Sequence, residues 1–180
     1  MNVLISGGCK NGKTGFAQEI AVRLSKGGKR YYVATMVPCD GEDRARIARH
    51  IEEREGLGFE TLEIGRDISR CFDAAEEGGT FLIDSVTALL ANEMFYAENF
   101  TVDSRAAERC RDGLLRVAKR AGNAVFVTDY IFSDAFVYDE LTEEYRRALA
   151  YIDRSLAAAC DTVIELCAGN IIIHKGSMPL

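Results

Sequence analysis

The chain has 180 residues, 48% of them hydrophobic and 28% charged, which predicts one globular domain over residues 1–180. The net charge of −6 argues against nonspecific nucleic-acid binding, and no apolar run approaches the ~20 residues that a membrane span needs. Six cysteines without a C-x-x-C pair, and an N-terminus with no signal-peptide pattern, predict a cytoplasmic protein with reduced thiols.

Short apolar runs alternate with longer helical patterns along the chain, which is typical of a parallel sheet covered by helices on both faces. Strands are predicted at Asn2–Ser6, Tyr31–Ala34, Glu60–Leu62, Phe81–Asp84, Ala124–Thr128, Thr162–Leu166 and Ile171–His174. Helices are predicted at Lys13–Lys26, Asp43–Glu55, Arg66–Glu76, Val86–Tyr96, Ser104–Ala121 and Glu143–Ala159. The sequence therefore predicts an α/β fold with a mostly parallel sheet of about seven strands.

The first predicted strand leads into a glycine-rich segment that satisfies G-x-x-x-x-G-K-[ST], the phosphate-binding loop motif. Its glycines let backbone N–H groups converge on phosphate oxygens, and the following helix adds its positive dipole end. Lys13 is predicted to reach the β- and γ-phosphates, and the Thr14 hydroxyl to bind Mg²⁺. The alternative is a glycine-rich turn that opens an ordinary helix. The nucleotide-binding residues predicted here are Gly7, Gly8, Cys9, Lys10, Asn11, Gly12, Lys13 and Thr14.

A strand–loop–helix context of this kind predicts a P-loop NTPase-type three-layer fold. The apolar strand Phe81–Asp84 ends in a carboxylate, which such enzymes place beside the loop to hold Mg²⁺ directly or through water. The alternative is that Asp84 caps the helix that follows it. With the loop in place, Asp84 is predicted to bind Mg²⁺ together with Thr14.

The predicted helix Asp43–Glu55 carries a basic row, because Arg46, His50 and Arg54 are spaced four residues apart. The arginines could hold a polyphosphate and favour a neutral, nucleophilic imidazole. Spacing alone favours the alternative, a solvated helix face on which the histidine is incidental. The other histidine, His174, lies in a predicted strand and is expected to be structural.

Taken in order, these motifs resemble the bifunctional adenosylcobinamide kinase/adenosylcobinamide-phosphate guanylyltransferase family of cobalamin biosynthesis. The family opens with T-G-G-x-x-S-G-K-S and continues with Y-x-A-T, R-I-x-x-H-x-x-x-R and W-x-T-x-E. The residues that match these motifs are Ser6–Thr14, Tyr32–Thr35, the set Arg46, Ile47, His50 and Arg54, and the set Phe59, Thr61 and Glu63, in which Phe replaces Trp. A D-C-L-T strand end is matched by Asp84–Thr87, so the resemblance runs nearly end to end.

The resemblance implies a Mg²⁺-dependent enzyme that uses GTP, ATP or both and acts on a corrinoid. The phosphate loop, with Lys13, would serve a kinase step on a hydroxyl of the corrinoid. His50 would take GMP from GTP as a phosphoramidate and pass it to the phosphorylated corrinoid. Thr35, Arg54 and Glu63 would help to hold the guanine nucleotide, with Arg46 on the same helix. The resemblance also implies a homotrimer.

The sequence departs from the family in its C-terminal half. The family's T-N-E-V-G-x-G-I-V-P-E is replaced by Thr128–Asp134, and its A-G-R-x-N-Q by Leu149–Arg154. An acidic, aromatic segment over Asp129–Asp139 cannot make the close backbone approach of a glycine-rich one. Its aromatic residues could shape a different acceptor pocket or pack against another subunit. Two alternatives therefore remain, a kinase without guanylyl transfer and a non-catalytic nucleotide-binding paralogue.

Overall fold

The computed structural model describes residues 1–38, 41–95, 103–132 and 134–179, without the side chains of residues 42, 43, 46 and 53. In these ranges seven strands form one sheet. The strands are β1 (Asn2–Gly7), β2 (Arg30–Ala34), β3 (Glu60–Glu63), β4 (Thr80–Asp84), β5 (Asn123–Asp129), β6 (Thr162–Cys167) and β7 (Asn170–Lys175). Every predicted strand lies within one residue of an observed one.

The strand order is β3-β2-β4-β5-β1-β6-β7. The first six strands pair in parallel, and β7 pairs with β6 in antiparallel orientation at the sheet edge. Strand β5 thus separates β1, which leads into the glycine-rich loop, from β4, which ends at Asp84. Both neighbours of β5 run in the same direction, so their carboxyl ends meet at one edge of the sheet.

Five α-helices connect the strands within the described ranges. They are α1 (Lys13–Ser25), α2 (Gly41–Glu53), α3 (Val86–Met94), α4 (Ala106–Arg120) and α5 (Glu140–Ala159). Helix α5 begins three residues earlier than predicted, because the Asp139 side chain caps it by accepting a hydrogen bond from the Thr142 backbone N–H.

The predicted helix Arg66–Glu76 is wrong, since only a short 3₁₀ helix forms, at Ile68–Asp73. Asp67 has a φ of 47°, a left-handed conformation that does not continue a right-handed helix. The two buried side chains of this segment, Ile68 and Cys71, are three residues apart. This is the spacing at which side chains align in a 3₁₀ helix.

Two apolar layers sandwich the sheet, because successive strand residues point to opposite faces. On one face, Val3 and Ile5 pack with Ala17 and Ile20 of α1. On the other, the neighbouring Leu4 belongs to a larger cluster that contains the apolar sides of α3, α4 and α5. The fold therefore has three layers, as predicted, and leaves the carboxyl edge of the parallel strands open for polar groups. Among the described residues, no helix is long and apolar enough to cross a membrane.

Candidate functional site

The glycine-rich loop lies between β1 and α1 at the carboxyl edge of the sheet. Gly12 has a φ of 89° and Lys10 a φ of 56°, so the backbone curls through left-handed conformations there. At Gly7 an added Cβ would lie 2.7 Å from the Leu166 carbonyl oxygen and even closer to the Asn11 amide. The N-cap residue of α1 is glycine, which has no side chain to occupy the first N–H groups of the helix. The loop is therefore shaped to bind an anion.

The Lys13 side chain is 6% exposed and has three oxygen partners. Its ammonium group donates to the Gly8 carbonyl at 2.5 Å and to Asn11 Oδ1 at 3.2 Å. It also forms an ion pair with Asp129 Oδ1 at 2.7 Å. Sequence reasoning did not identify Asp129 as a site residue. The available signal was its position, directly after Thr128 at the end of an apolar strand.

Thr14 and Asp84 meet across the gap that β5 leaves between their strands. The Thr14 hydroxyl donates to Asp84 Oδ2 at 2.9 Å, and the Tyr32 hydroxyl donates to the same oxygen at 2.6 Å. No group of three or more His, Cys, Asp or Glu side chains suited to a metal is present among the described residues. A hydroxyl beside a carboxylate nevertheless fits Mg²⁺, which commonly takes one or two protein oxygens together with substrate phosphates.

Thr35 lies behind Asp84 and is fully buried. Its hydroxyl donates to the Ser85 carbonyl and accepts from the Ser85 backbone N–H, both at 2.7 Å. Its own carbonyl accepts a hydrogen bond from Asn92 at 2.8 Å. Thr35 thus holds the turn after Asp84, and its predicted contact with the nucleotide stays a prediction. Glu63 is exposed at the end of β3, and its contact is also still a prediction.

Helix α2 carries His50 in its last turn, half-buried. Arg54, just beyond the helix, is only 8% exposed and donates to the His50 carbonyl at 2.8 Å and to Thr61 Oγ1 at 3.1 Å. Its guanidinium group lies 4.2 Å from the centre of the Tyr32 ring. The predicted row is therefore not a solvated face at Arg54, whereas the side chain of Arg46 lies outside the described residues.

A second carboxyl group near this edge was not predicted. Asp153 of α5 accepts a hydrogen bond from the Thr128 hydroxyl at 3.1 Å through Oδ2. Its Oδ1 is buried and has no hydrogen-bond partner among the described residues. Burial, followed by the nearby charge of Asp129, raises the pKa of Asp153 to about 7, although the bond from Thr128 lowers it.

The segment after β5 is held by Arg146 of α5, which is 7% exposed. Its guanidinium group donates to the Ile131 carbonyl at 3.0 Å and to the Phe136 carbonyl at 3.3 Å. It also forms an ion pair with Asp134 at 2.9 Å. Phe136 itself is 72% exposed. A buried arginine thus positions the acidic, aromatic segment that replaces the glycine-rich element of the family.

A family model described as Cobinamide kinase / cobinamide phosphate guanyltransferase matches residues 3–173. The chain belongs to this family. A relative, the Bifunctional adenosylcobalamin biosynthesis protein CobP of Pseudomonas aeruginosa, is 27% identical over 178 residues, or 98% of each chain. Family membership makes the chain a transferase of the cobinamide kinase and guanylyltransferase type, as the motifs predicted.

Two solved structures resemble the fold at lower identity. The flagellar accessory protein FlaH of Methanocaldococcus jannaschii is 13% identical, with a TM-score of 0.53 over 99% of this chain and 79% of its own. The ATPase domain of a helicase is also 13% identical, with a TM-score of 0.55 over 97% of this chain and 76% of its own. At this identity the likeness concerns the fold alone, and it confirms the predicted P-loop NTPase-type architecture.

Proposed function

We propose that the protein phosphorylates adenosylcobinamide and then transfers GMP from GTP to adenosylcobinamide phosphate through a covalent intermediate on His50. The observation that carries this proposal is one continuous set of contacts between the phosphate loop and His50. Thr14 and Tyr32 both donate to Asp84, and the Tyr32 ring lies under the Arg54 guanidinium, which donates to the His50 carbonyl. The histidine helix is thus tied to the same edge of the sheet as the loop.

In the guanylyl step, an imidazole nitrogen of His50 attacks the α-phosphorus of GTP. A P–N bond forms, the bond from the α-phosphorus to the α,β-bridging oxygen breaks, and pyrophosphate leaves with the electron pair. A phosphate oxygen of the acceptor then attacks the same phosphorus and displaces the imidazole. Covalent catalysis of this kind divides one difficult displacement into two easier ones. The loop N–H groups and Lys13 would stabilise charge that develops on the departing pyrophosphate.

The nucleotide is proposed to bind along the loop, from Gly7 to Thr14, with ATP, GTP or both as phosphoryl donor. Mg²⁺, held by Thr14 and Asp84, would neutralise phosphate charge when bound. Arg46, Arg54, Thr35 and Glu63 are proposed to support the guanine nucleotide. Arg54 is supported here by its burial beside His50, since a buried guanidinium is well placed to hold the end of the histidine helix.

The proposal includes a cytoplasmic homotrimer that acts on a corrinoid. The family resemblance supports the oligomer, and so does the edge strand β7, where three consecutive isoleucines are exposed by 41% or more. Apolar area of this kind is what a subunit interface covers. The free cysteines among the described residues support a reducing compartment.

The test uses purified protein, Mg²⁺ and GTP labelled at the α-phosphate, without acceptor. We expect an acid-labile, alkali-stable label on the wild type and on His174→Ala, and only background on His50→Ala. His174 is the matched control, because it is the other histidine and lies on β7, where it contacts Glu165 at 2.8 Å. The affinity of His50→Ala for GTP should stay within about three-fold of wild type, as expected for loss of a nucleophile alone.

Equal labelling of wild type and His50→Ala would refute the covalent role. Absence of label on the wild type, with GTP bound, would leave a kinase without guanylyl transfer or a nucleotide-binding paralogue. Formation of phosphorylated cobinamide from ATP or GTP distinguishes these two outcomes.

A further inference from the structure

Asp129 lies directly beside the phosphate loop. It ends β5 and is in register with Gly7, the last residue of β1, so its backbone is adjacent to the first residue of the loop. Its side chain is 25% exposed and pairs with the Lys13 ammonium group at 2.7 Å. Its backbone N–H donates to the Thr87 hydroxyl at 2.9 Å, which fixes the turn at the end of the strand.

A carboxylate in this position does not promote phosphate binding. It competes with the β- and γ-phosphates for Lys13, and its charge repels theirs. When Lys13 turns to the phosphates, the carboxylate is left beside the end of the nucleotide from which the phosphoryl group departs. A carboxylate there can accept the proton of an attacking hydroxyl, as acidic residues do in other phosphoryl-transfer enzymes.

We infer that Asp129 is the catalytic proton acceptor of the phosphoryl-transfer step, an inference that rests on the proposed kinase function. The acceptor hydroxyl oxygen attacks the γ-phosphorus and forms a new P–O bond. The bond from the γ-phosphorus to the β,γ-bridging oxygen breaks, and its electron pair leaves with the nucleoside diphosphate. The hydroxyl proton passes to the Asp129 carboxylate and from there to solvent, since the side chain is partly exposed.

The other carboxylates that the described residues place near this edge are less suited to the task. Asp84 already accepts hydrogen bonds from Thr14 and Tyr32 and is proposed to bind Mg²⁺. Asp153 has an Oδ1 atom that is buried out of reach of a substrate. Glu63 lies on β3, at the far edge of the sheet from β1.

The sequence supports the same assignment. Where the family motif reads T-N-E, this chain reads Thr128-Asp129-Tyr130, so its carboxylate stands one position earlier. The resulting Asp129 side chain is the one that contacts the loop lysine. The acidic group is therefore retained at this strand end, at a position that faces the phosphates.

The experiment compares wild type, Asp129→Asn, Asp129→Glu and Asp73→Asn in steady-state phosphorylation of adenosylcobinamide and in nucleotide titrations without acceptor. Asp73 is the matched control because its side chain is 76% exposed and lies in the 3₁₀ helix, away from the loop. For Asp129→Asn we expect kcat to fall roughly 10²- to 10⁴-fold, the usual effect of removing a general base. We expect ATP and GTP to bind about three- to thirty-fold more tightly, since Lys13 loses its competing partner.

The opposite signs of these two effects identify the role. A merely structural contribution would weaken both turnover and nucleotide binding, and Asp129→Glu, which retains a carboxylate, should recover part of kcat. A kcat for Asp129→Asn within about three-fold of an active wild type would overturn the inference, as would weaker nucleotide binding. An inactive wild type would instead show that the proposed kinase function is wrong, and the inference would fall with it.

Discussion

The buried carboxyl group of Asp153 makes a prediction about stability that is independent of catalysis. Its Oδ2 accepts one hydrogen bond, from Thr128, and its Oδ1 is buried without a partner among the described residues. Burial raises its pKa from an ordinary value of 3.8 to about 7. The folded protein therefore holds a proton at Asp153 over a pH range in which the unfolded chain has released it.

The sign of the effect follows from linkage. Between pH 3.8 and about 7 the folded state binds more protons at Asp153 than the unfolded state does. Stability therefore falls as pH rises, by up to about 1.4 kcal/mol per pH unit. The contribution of this group is most favourable below pH 3.8 and reaches its full penalty, on the order of 4 kcal/mol, above pH 7.

Asp153→Asn removes this dependence because an amide stays neutral. Its NH₂ group would itself be buried without an acceptor, which costs about 1–3 kcal/mol at every pH. The free energy of unfolding of the variant, relative to wild type, should therefore rise by about 2–4 kcal/mol from pH 4 to pH 8, whatever this constant offset. Urea unfolding at half-unit pH steps measures the difference, and Asp73→Asn provides a control that removes an exposed carboxylate. A difference that is flat across this range would refute the reasoning.

The loop carries two further predictions. Lys13→Ala should weaken ATP or GTP binding roughly ten- to hundred-fold in calorimetric titrations, because a charged donor to the phosphates is lost; unchanged affinity would contradict this. Gly7→Ala should destabilise the protein by about 1–3 kcal/mol in thermal unfolding, because its methyl would lie 2.7 Å from the Leu166 carbonyl oxygen. Gly15→Ala is the matched control, since a Cβ there meets nothing within 4 Å, and equal effects of the two changes would show that crowding is not the cause.

The strands and the loop were predictable because their signals are local. An apolar run between glycines predicts a buried strand, and the loop motif encodes its own backbone conformation, which the φ of 89° at Gly12 bears out. The proximity of Thr14 and Asp84 was predicted from the motif context rather than from either residue alone. These features depend on a few neighbouring residues, and tertiary packing did not override them.

The features that were missed depend on contacts distant in sequence. The ion pair between Lys13 and Asp129 joins residues on different elements, and no spacing rule connects them. The burial of Arg54 depends on the Tyr32 ring, which lies on another element. Asp153 did leave a signal, because it stands one turn from both Leu149 and Leu156 on the buried side of α5, where a carboxylate is unexpected.

The position of β5 also affects when the site can form during synthesis. Residues 1–84 already contain the loop, Thr14 and Asp84, yet the strand that separates β1 from β4 begins only at Asn123. If β1 and β4 paired directly in a nascent chain, they would be closer by one strand spacing, about 4.8 Å, and Asp84 would not stand where it meets Thr14 now. The geometry of the site is therefore a property of the completed sheet. Nucleotide binding cannot guide the early stages of folding, and it reports instead that the last third of the chain has been inserted.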